Sequence, residues 1–127
     1  MNRKFDFFFD ESTRIFYKYY YGKVSIEDIV SSWRYAIENE LIPDEVQGFI
    51  LDYRQANLDI PVGEYSKIGE FYRDHLNIFG NQKIAIITLN PQDIVIPMLV
   101  RTLDNGYSSK PFSTVENAVK WMLNDGG

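Results

Sequence analysis

The N-terminal part of the chain alternates with a period of two. Residues 5–9 place Phe5, Phe7 and Phe9 on one side, and residues 14–21 alternate in the same way. This pattern is typical of strands whose two faces have different surroundings. Residues 10–13 form a polar break between the two runs. The pattern therefore predicts an N-terminal antiparallel hairpin that ends at Gly22.

Two unbroken apolar runs, residues 48–51 and 84–87, lie in the middle of the chain and predict strands over residues 46–53 and 83–89. Strands of this kind are buried on both faces, so they belong inside a sheet covered by helices. Residues 109–112 predict one further strand. It is expected at an edge of the sheet, because Pro111 cannot donate a ladder hydrogen bond.

Four stretches have helical spacing. The first begins after Ser25, which is placed to cap the free N–H of Asp28. The second is predicted over residues 64–79 with Gly80 as a positive-φ end, the third over residues 93–104 with Asp93 as its cap. The last helix opens on Ser113-Thr114-Val115-Glu116, a capping-box sequence.

The order of these elements is ββαβαβαβα, which predicts an α/β fold. We expect one domain over residues 1–127, with a mixed sheet of about five strands and four helices. The strands after the hairpin should be parallel, because strand–helix–strand crossovers are right-handed and return the chain in the same direction.

The composition narrows the class of partner. The net charge is −5 and the 13 lysines and arginines form no run, so we expect no nucleic-acid partner, because phosphates require a basic face. No window approaches the ~18 apolar residues of a transmembrane segment. The absence of cysteine excludes disulfides and thiolate zinc sites and fits a cytoplasmic location. No side chains have metal-ligand spacing, so neither a metal nor another cofactor is expected.

Three stretches carry a resemblance to a known fold: Gly48–Tyr53 with the loop and helix that follow, residues 83–89 with Asn105-Gly106-Tyr107, and the closing residues 112–119. Together they resemble the STAS superfamily, whose fold is that of the bacterial anti-sigma-factor antagonist SpoIIAA. More narrowly, the chain is similar to the small SpoIIAA-like group related to STAS and Sec14 domains. The resemblance implies a SpoIIAA-like fold and partner binding without catalysis.

The resemblance also implies where a phosphoswitch would lie. In switching members, a serine in an Asp-Ser-Ser-Gly-like element at the start of the second helix is phosphorylated. Residues 58–66 match that region but contain no such element, although Ser66 lies near the matching position. The sequence therefore does not support a phosphoswitch here.

A candidate polar site follows the first central strand. Asp52 and Asp59 flank its predicted end, and ligands of α/β sheets bind beyond the carboxyl ends of strands. With Arg54, Gly63 and Ser66, they would form an interaction loop over a helix start, where free N–H groups attract an anion. The simpler interpretation is that Asp52 accepts hydrogen bonds from loop amides and Asp59 caps a turn.

A second candidate is the aromatic run of Tyr17, Tyr19, Tyr20 and Tyr21. Alternate strand residues point to opposite faces, so one set should reach the helices and the other should meet solvent or a partner. An exposed aromatic row favours a contact surface. The alternative is that helices cover both faces or that the hydroxyls simply reach water.

The sequence is compatible with three functions. The first is a non-enzymatic regulatory or protein-interaction module, with a protein partner or a homodimer, that acts through the second helix and the loops at the carboxyl end of the sheet, residues 54–63 and 89–93. The second is a small carrier or sensor of an apolar or lipid-like ligand, suggested by the 16% of aromatic residues but opposed by the small size of the domain. The third is a hydrolase or transferase built on Ser66, Asp59 and His75, for which the sequence has no nucleophile motif.

Overall fold

A computed structural model describes residues 4–124 of the chain. It contains one sheet of five strands, in which the spatial order follows the order along the chain. The strands are β1 (Phe5–Asp10), β2 (Ile15–Val24), β3 (Gly48–Leu58), β4 (Lys83–Ile87) and β5 (Ser108–Phe112). β1 and β2 are antiparallel, and each later pair is parallel. The predicted hairpin and mixed sheet are therefore confirmed.

The helices are α1 (Ile26–Glu38), α2 (Ser66–Asp74), α3 (Leu76–Phe79), α4 (Val95–Arg101) and α5 (Val115–Leu123). The predicted cap at Ser25 is confirmed, whereas the cap of α5 lies at Thr114, one residue later than the predicted capping box over residues 113–116 places it. The Asp28 N–H donates to Ser25 Oγ at 3.1 Å, and the Asn117 N–H donates to Thr114 Oγ1 at 3.2 Å. Both caps are local sequence features, so they do not depend on the rest of the fold.

The helices divide unequally between the two faces of the sheet. Apolar side chains of α1, α2, α3 and α4 pack on one face, against residues such as Phe16, Phe49 and Ile84. On the other face, Ala118 and Met122 of α5 pack against a smaller cluster that includes Ile50. We call the first face the helix-covered face. The second face carries α5 alone among the helices of residues 4–124.

Strands β2 and β3 are longer than the sequence predicts. β2 passes through Gly22, which has φ +72°, and ends at Val24. The predicted loop from Arg54 to Gly63 is wrong in its first half, because β3 continues to Leu58. The ladder contains a bulge: Asp52 lies opposite Tyr19, whereas Gln55 lies opposite Tyr21. The extra residue in β3 breaks the alternation by which a strand is recognised.

The predicted second helix is three pieces. A 3₁₀ turn (Val62–Glu64) precedes α2, and His75 (φ −126°, ψ 43°) separates α2 from α3. The chain therefore has five α-helices within the described residues, one more than predicted. Gly80 has φ −59°, so the predicted positive φ is wrong. Glycine is nevertheless required at position 80, because the Cβ of any other residue would lie 2.4 Å from the Leu76 carbonyl oxygen.

The start of α4 also differs from the prediction. α4 begins at Val95, with no side-chain cap. Asp93 lies in the preceding turn, where its backbone N–H donates to the Asn90 carbonyl oxygen at 2.9 Å. Pro97 is then in the first turn of α4, where the missing N–H costs little.

Candidate functional site

On the second sheet face, no helix of residues 4–124 covers the half formed by β1 and β2. α5 lies over β3, β4 and β5, so side chains of β1 and β2 on this side extend beyond it. Phe8 is 54% exposed, and Tyr17, Tyr19 and Tyr21 are half-buried. We call this area the open face. Its members are Phe8, Tyr17, Tyr19, Tyr21, Asp52 and Arg54.

The rings of the open face form a row across two strands. Phe8 lies opposite Tyr17 in the ladder, with ring centroids 5.9 Å apart, and Tyr17 stacks on Tyr19 at 6.1 Å. Partial burial raises the pKa of both tyrosines, and Asp10 adds to the effect at Tyr17. Both hydroxyls are therefore protonated at neutral pH and can donate hydrogen bonds.

Asp52 and Arg54 form an ion pair at one side of this row. Arg54 Nη2 lies 2.7 Å from Asp52 Oδ2, and the Arg54 backbone N–H donates to Oδ1 at 3.0 Å. Hydrogen bonding to Asp52 raises the pKa of Arg54. The pair borders a shallow depression of about 190 Å³ next to Tyr19 and Tyr21. Because each charge already has its partner, the depression holds no strong site for an ionic ligand.

The structure does not assemble the predicted interaction loop. Asp52 and Arg54 lie within β3 on the open face, and not at the strand end. Asp59 follows β3 and donates its N–H to the Val24 carbonyl oxygen at 2.8 Å. Gly63 and Ser66 are exposed near the start of α2, which packs on the helix-covered face. The set is therefore divided between two faces of the sheet.

Tyr20 does not belong to the predicted aromatic surface. It is 1% exposed and stacks on Tyr53 at 4.3 Å, within the core of the helix-covered face. It lies between Tyr19 and Tyr21 in sequence, so alternation turns it inward. Only the other three tyrosines lie on the open face.

Exposed apolar side chains lie near the carboxyl ends of β3 and β4, in and beside the predicted interaction loops 54–63 and 89–93. We call this group the carboxyl edge. Its members are Val62, Leu89, Val95 and Met98, with exposures between 41% and 64%. The connection that follows β4 is joined to the end of β3 by Asn90 Nδ2, which donates to Asn57 Oδ1 at 3.2 Å. Single apolar residues in loops and short helices give no periodic signal, so the sequence indicates these two loops as an interaction region but not which apolar side chains there are exposed.

A buried lysine is an unpredicted feature. Lys18 is 0% exposed, and its Nζ donates to Ser32 Oγ. The ammonium position lies 4.0 Å from the Trp33 ring and 4.6 Å from the Tyr20 ring. Burial holds the pKa of Lys18 well below its usual range. Its surroundings are aromatic and closed, so it is a core residue and not part of a ligand site.

The interior offers little space for a ligand. The cavity between α1, α2, α4 and the sheet measures about 20 Å³ and has apolar walls, among them Ile29, Ile68 and Ile96. That volume is close to that of one water molecule. A larger groove of about 670 Å³ lies between the end of α1, the connection to β3 and α3, but it is open to solvent. Neither of these spaces within residues 4–124 is an enclosed cavity large enough for the apolar ligand that the carrier hypothesis requires.

The described part of the chain, residues 4–124, has neither a cluster of metal ligands nor a membrane-spanning helix. No three histidine, aspartate or glutamate side chains there lie close enough together to hold a metal ion. None of the helices in residues 4–124 combines the length and apolarity that crossing a membrane requires.

Comparison with solved structures identifies the architecture. An uncharacterised protein of the DUF3478 family from Shewanella loihica PV-4, described as having a SpoIIAA-like fold, superposes with a TM-score of 0.62 over 94% of each chain. This chain has a SpoIIAA-like fold. The identity is 14%, so the SpoIIAA-like likeness concerns the fold alone. No protein-family model matches the sequence, and no curated protein matches it.

Proposed function

We propose that this SpoIIAA-like chain is a non-enzymatic interaction module that binds a protein partner through its carboxyl edge. The observation that carries the proposal is the exposure of Val62, Leu89, Val95 and Met98. Apolar side chains on connections between rigid elements are typical of recognition surfaces, because burial against a partner removes them from water. The regulatory sense of the proposal rests on the resemblance to anti-sigma-factor antagonists.

The positions of the candidate catalytic side chains support the non-enzymatic part of the proposal. Ser66 and His75 lie at opposite ends of α2, which at 1.5 Å per residue separates them by roughly 13 Å along the helix. His75 Nδ1 lies 2.8 Å from the Phe71 carbonyl oxygen, and its ring packs on Phe71 at 4.2 Å. A nucleophile and its base must be within hydrogen-bond distance, so these residues do not form a dyad.

The test is affinity capture from the source organism with a paired control. The variant Val62→Ser with Met98→Ser changes two side chains that are 54% and 55% exposed. The control Leu76→Ser with Leu123→Ser changes two side chains that are 43% and 47% exposed and lie outside the carboxyl edge. Quantitative mass spectrometry should find a protein retained by the wild type and the control but lost by the edge variant. Equal retention by all three proteins would contradict the proposal.

The captured protein is then purified and its affinity is measured directly. Burial of two exposed apolar side chains contributes about 1–3 kcal/mol, so the edge variant should weaken binding by roughly tenfold or more. The control should bind with the wild-type affinity. Native mass spectrometry of the freshly purified protein tests the carrier alternative, because a bound apolar ligand would appear as added mass.

A further inference from the structure

The two edges of the sheet are built differently. β5 carries Lys110 and Pro111, and both residue types discourage pairing with another strand. β1 has the sequence Phe-Asp-Phe-Phe-Phe-Asp, without lysine or proline. Among the strands of residues 4–124, β1 pairs only with β2. Its outer side is thus an unprotected edge.

The ladder shows which backbone groups this edge presents. The Tyr21 N–H donates to the Lys4 carbonyl oxygen at 2.9 Å, so Lys4 directs its backbone groups toward β2. In an antiparallel pair, successive residues direct these groups alternately to the two sides. Phe5, Phe7 and Phe9 therefore direct their N–H and C=O groups outward.

A groove lined by aromatic and aliphatic side chains, by Asp6 and by the strand backbone runs beside the same edge. It has a volume of about 390 Å³ and lies between β1 and the end of α1, where its walls include Phe7, Phe9, Tyr35 and Leu41. Tyr35 is 46% exposed and Leu41 is 39% exposed. A strand added to β1 would cover this groove with its own side chains, so the edge and the groove form one surface.

We propose that the chain forms a symmetric dimer in which β1 pairs antiparallel with β1 of a second copy, with Phe7 on the two-fold axis. In this register Phe7 pairs with its own equivalent, and Phe5 of each copy pairs with Phe9 of the other. All three outward-directed residues are then hydrogen-bonded in both copies. Their rings lie on the helix-covered side, where they fill the two grooves.

Charge selects this register over its neighbours. Asp6 lies opposite Phe8 of the second copy, and Lys4 lies opposite Asp10. Among the described residues, the ammonium of Lys4 donates to Lys23 O and Asp28 Oδ2, and an ammonium has three donors.

The neighbouring registers are less favourable in two ways. With Phe8 on the axis, Asp6 faces Asp10 of the other copy, and with Asp6 on the axis, two copies of Asp6 face each other. Like charges directly opposite are destabilising. Each of these registers also pairs only two of the three outward-directed residues. The proposed register is therefore the self-complementary one.

Sedimentation equilibrium over a concentration series tests the dimer. The expected mass is twice 14.9 kDa, and a monomer mass at every concentration would overturn the inference. Phe7→Pro should give a monomer, because proline removes an N–H that points outward and so leaves the pairing with β2 intact. Leu123→Ser, far from this edge, should remain a dimer. If circular dichroism shows that the Phe7→Pro variant is folded and sedimentation shows that it is still a dimer, the interface lies elsewhere.

Disulfide formation tests the register and does not depend on the proline variant. The chain contains no cysteine, so single substitutions give clean reporters. Asp6→Cys and Phe8→Cys proteins are mixed and oxidised, and mass spectrometry separates the products. The proposed register predicts mainly the mixed disulfide, because directly opposite Cα atoms lie within bridging distance and residues two positions apart do not. Homodimers of Phe8→Cys or of Asp6→Cys in excess would identify a shifted register and overturn this one.

The dimer is independent of the proposed function. It uses β1 and the end of α1, whereas the carboxyl edge uses the connections after β3 and β4. Phe7→Pro should capture the same partner as the wild type, and Val62→Ser with Met98→Ser should remain dimeric. Failure of one proposal is therefore distinguishable from failure of the other.

Discussion

The two faces of the sheet use neighbouring residues of one strand for opposite purposes. In β2, Phe16, Lys18 and Tyr20 are buried beneath the helices, whereas Tyr17 and Tyr19 remain half-exposed on the open face. An amine is thus more deeply buried than two aromatic rings beside it. The difference teaches that coverage by helices, and not the hydrophobicity of each residue, decides which row of a strand becomes core.

The largest difference between the faces should appear on removing a core ring. Phe79 is fully buried and lies 4.9–5.2 Å, centroid to centroid, from the rings of Tyr72, Trp33 and Phe49. Phe79→Ala should lower the free energy of unfolding by about 3–5 kcal/mol, because it leaves a cavity in a close-packed cluster. Urea denaturation measures the loss.

The matched control lies on the open face. Tyr17 is half-buried and has solvent on one side, so Tyr17→Ala should cost about 1 kcal/mol. Similar losses for the two variants would mean that both faces are packed alike, and the comparison between them would fail.

A smaller effect of opposite sign is expected at Lys18. Its amine is buried and donates a hydrogen bond to Ser32, and no carboxylate of residues 4–124 forms an ion pair with it. Lys18→Met keeps the apolar stem, and Ser32 Oγ keeps its bond to the Ile29 carbonyl oxygen at 2.9 Å. We expect the free energy of unfolding to rise by about 1–3 kcal/mol at neutral pH, the cost of burying a poorly satisfied polar group.

Ser32→Ala provides the control for Lys18→Met. It removes the partner while the amine stays buried, so stability should fall by about 1–3 kcal/mol. If Lys18→Met is instead destabilising, the amine contributes a favourable interaction to the core that outweighs its desolvation. Urea denaturation of the three proteins decides between these possibilities.

Much of the fold could be predicted because its signals are local. Alternation predicted β1 and β2, and the cap at Ser25 depends on three neighbouring residues, although the cap of α5 lies one residue later than predicted, at Thr114. The continuation of β3 could not be predicted, because Arg54, Gln55 and Asn57 are polar and follow a bulge that shifts the alternation. Pairing with the end of β2 holds this part of the strand, and such long-range hydrogen bonds leave no mark in the local pattern.

The candidate sites were less predictable than the fold. Tyr17 and Tyr19 lie on a surface, whereas Tyr20 lies in the core. Alternation in the sequence separates these two rows of side chains, but it does not show which row the helices cover. A lysine in the row of Phe16 and Tyr20 ordinarily marks a solvent face. The burial of Lys18 depends on Ser32 and Trp33, which α1 brings over the strand, and this arrangement exists only in three dimensions.

The smallest effect concerns the pH dependence of the same amine. The pKa of Lys18 in the folded protein lies well below the value of 10.5 that it has in the unfolded chain. Between these two values the unfolded chain binds the extra proton, so the stability of the wild type rises with pH. Between pH 7 and pH 9 the gap between Lys18→Met and the wild type should therefore narrow by up to about 1.4 kcal/mol for each pH unit. Burial raises the pKa of Tyr20, Tyr53 and Tyr72. The difference between their folded and unfolded pKa values lowers the stability of the protein only as the pH passes about 10. Urea denaturation below that pH isolates the lysine, and a constant gap would show that Lys18 keeps its proton in the folded core.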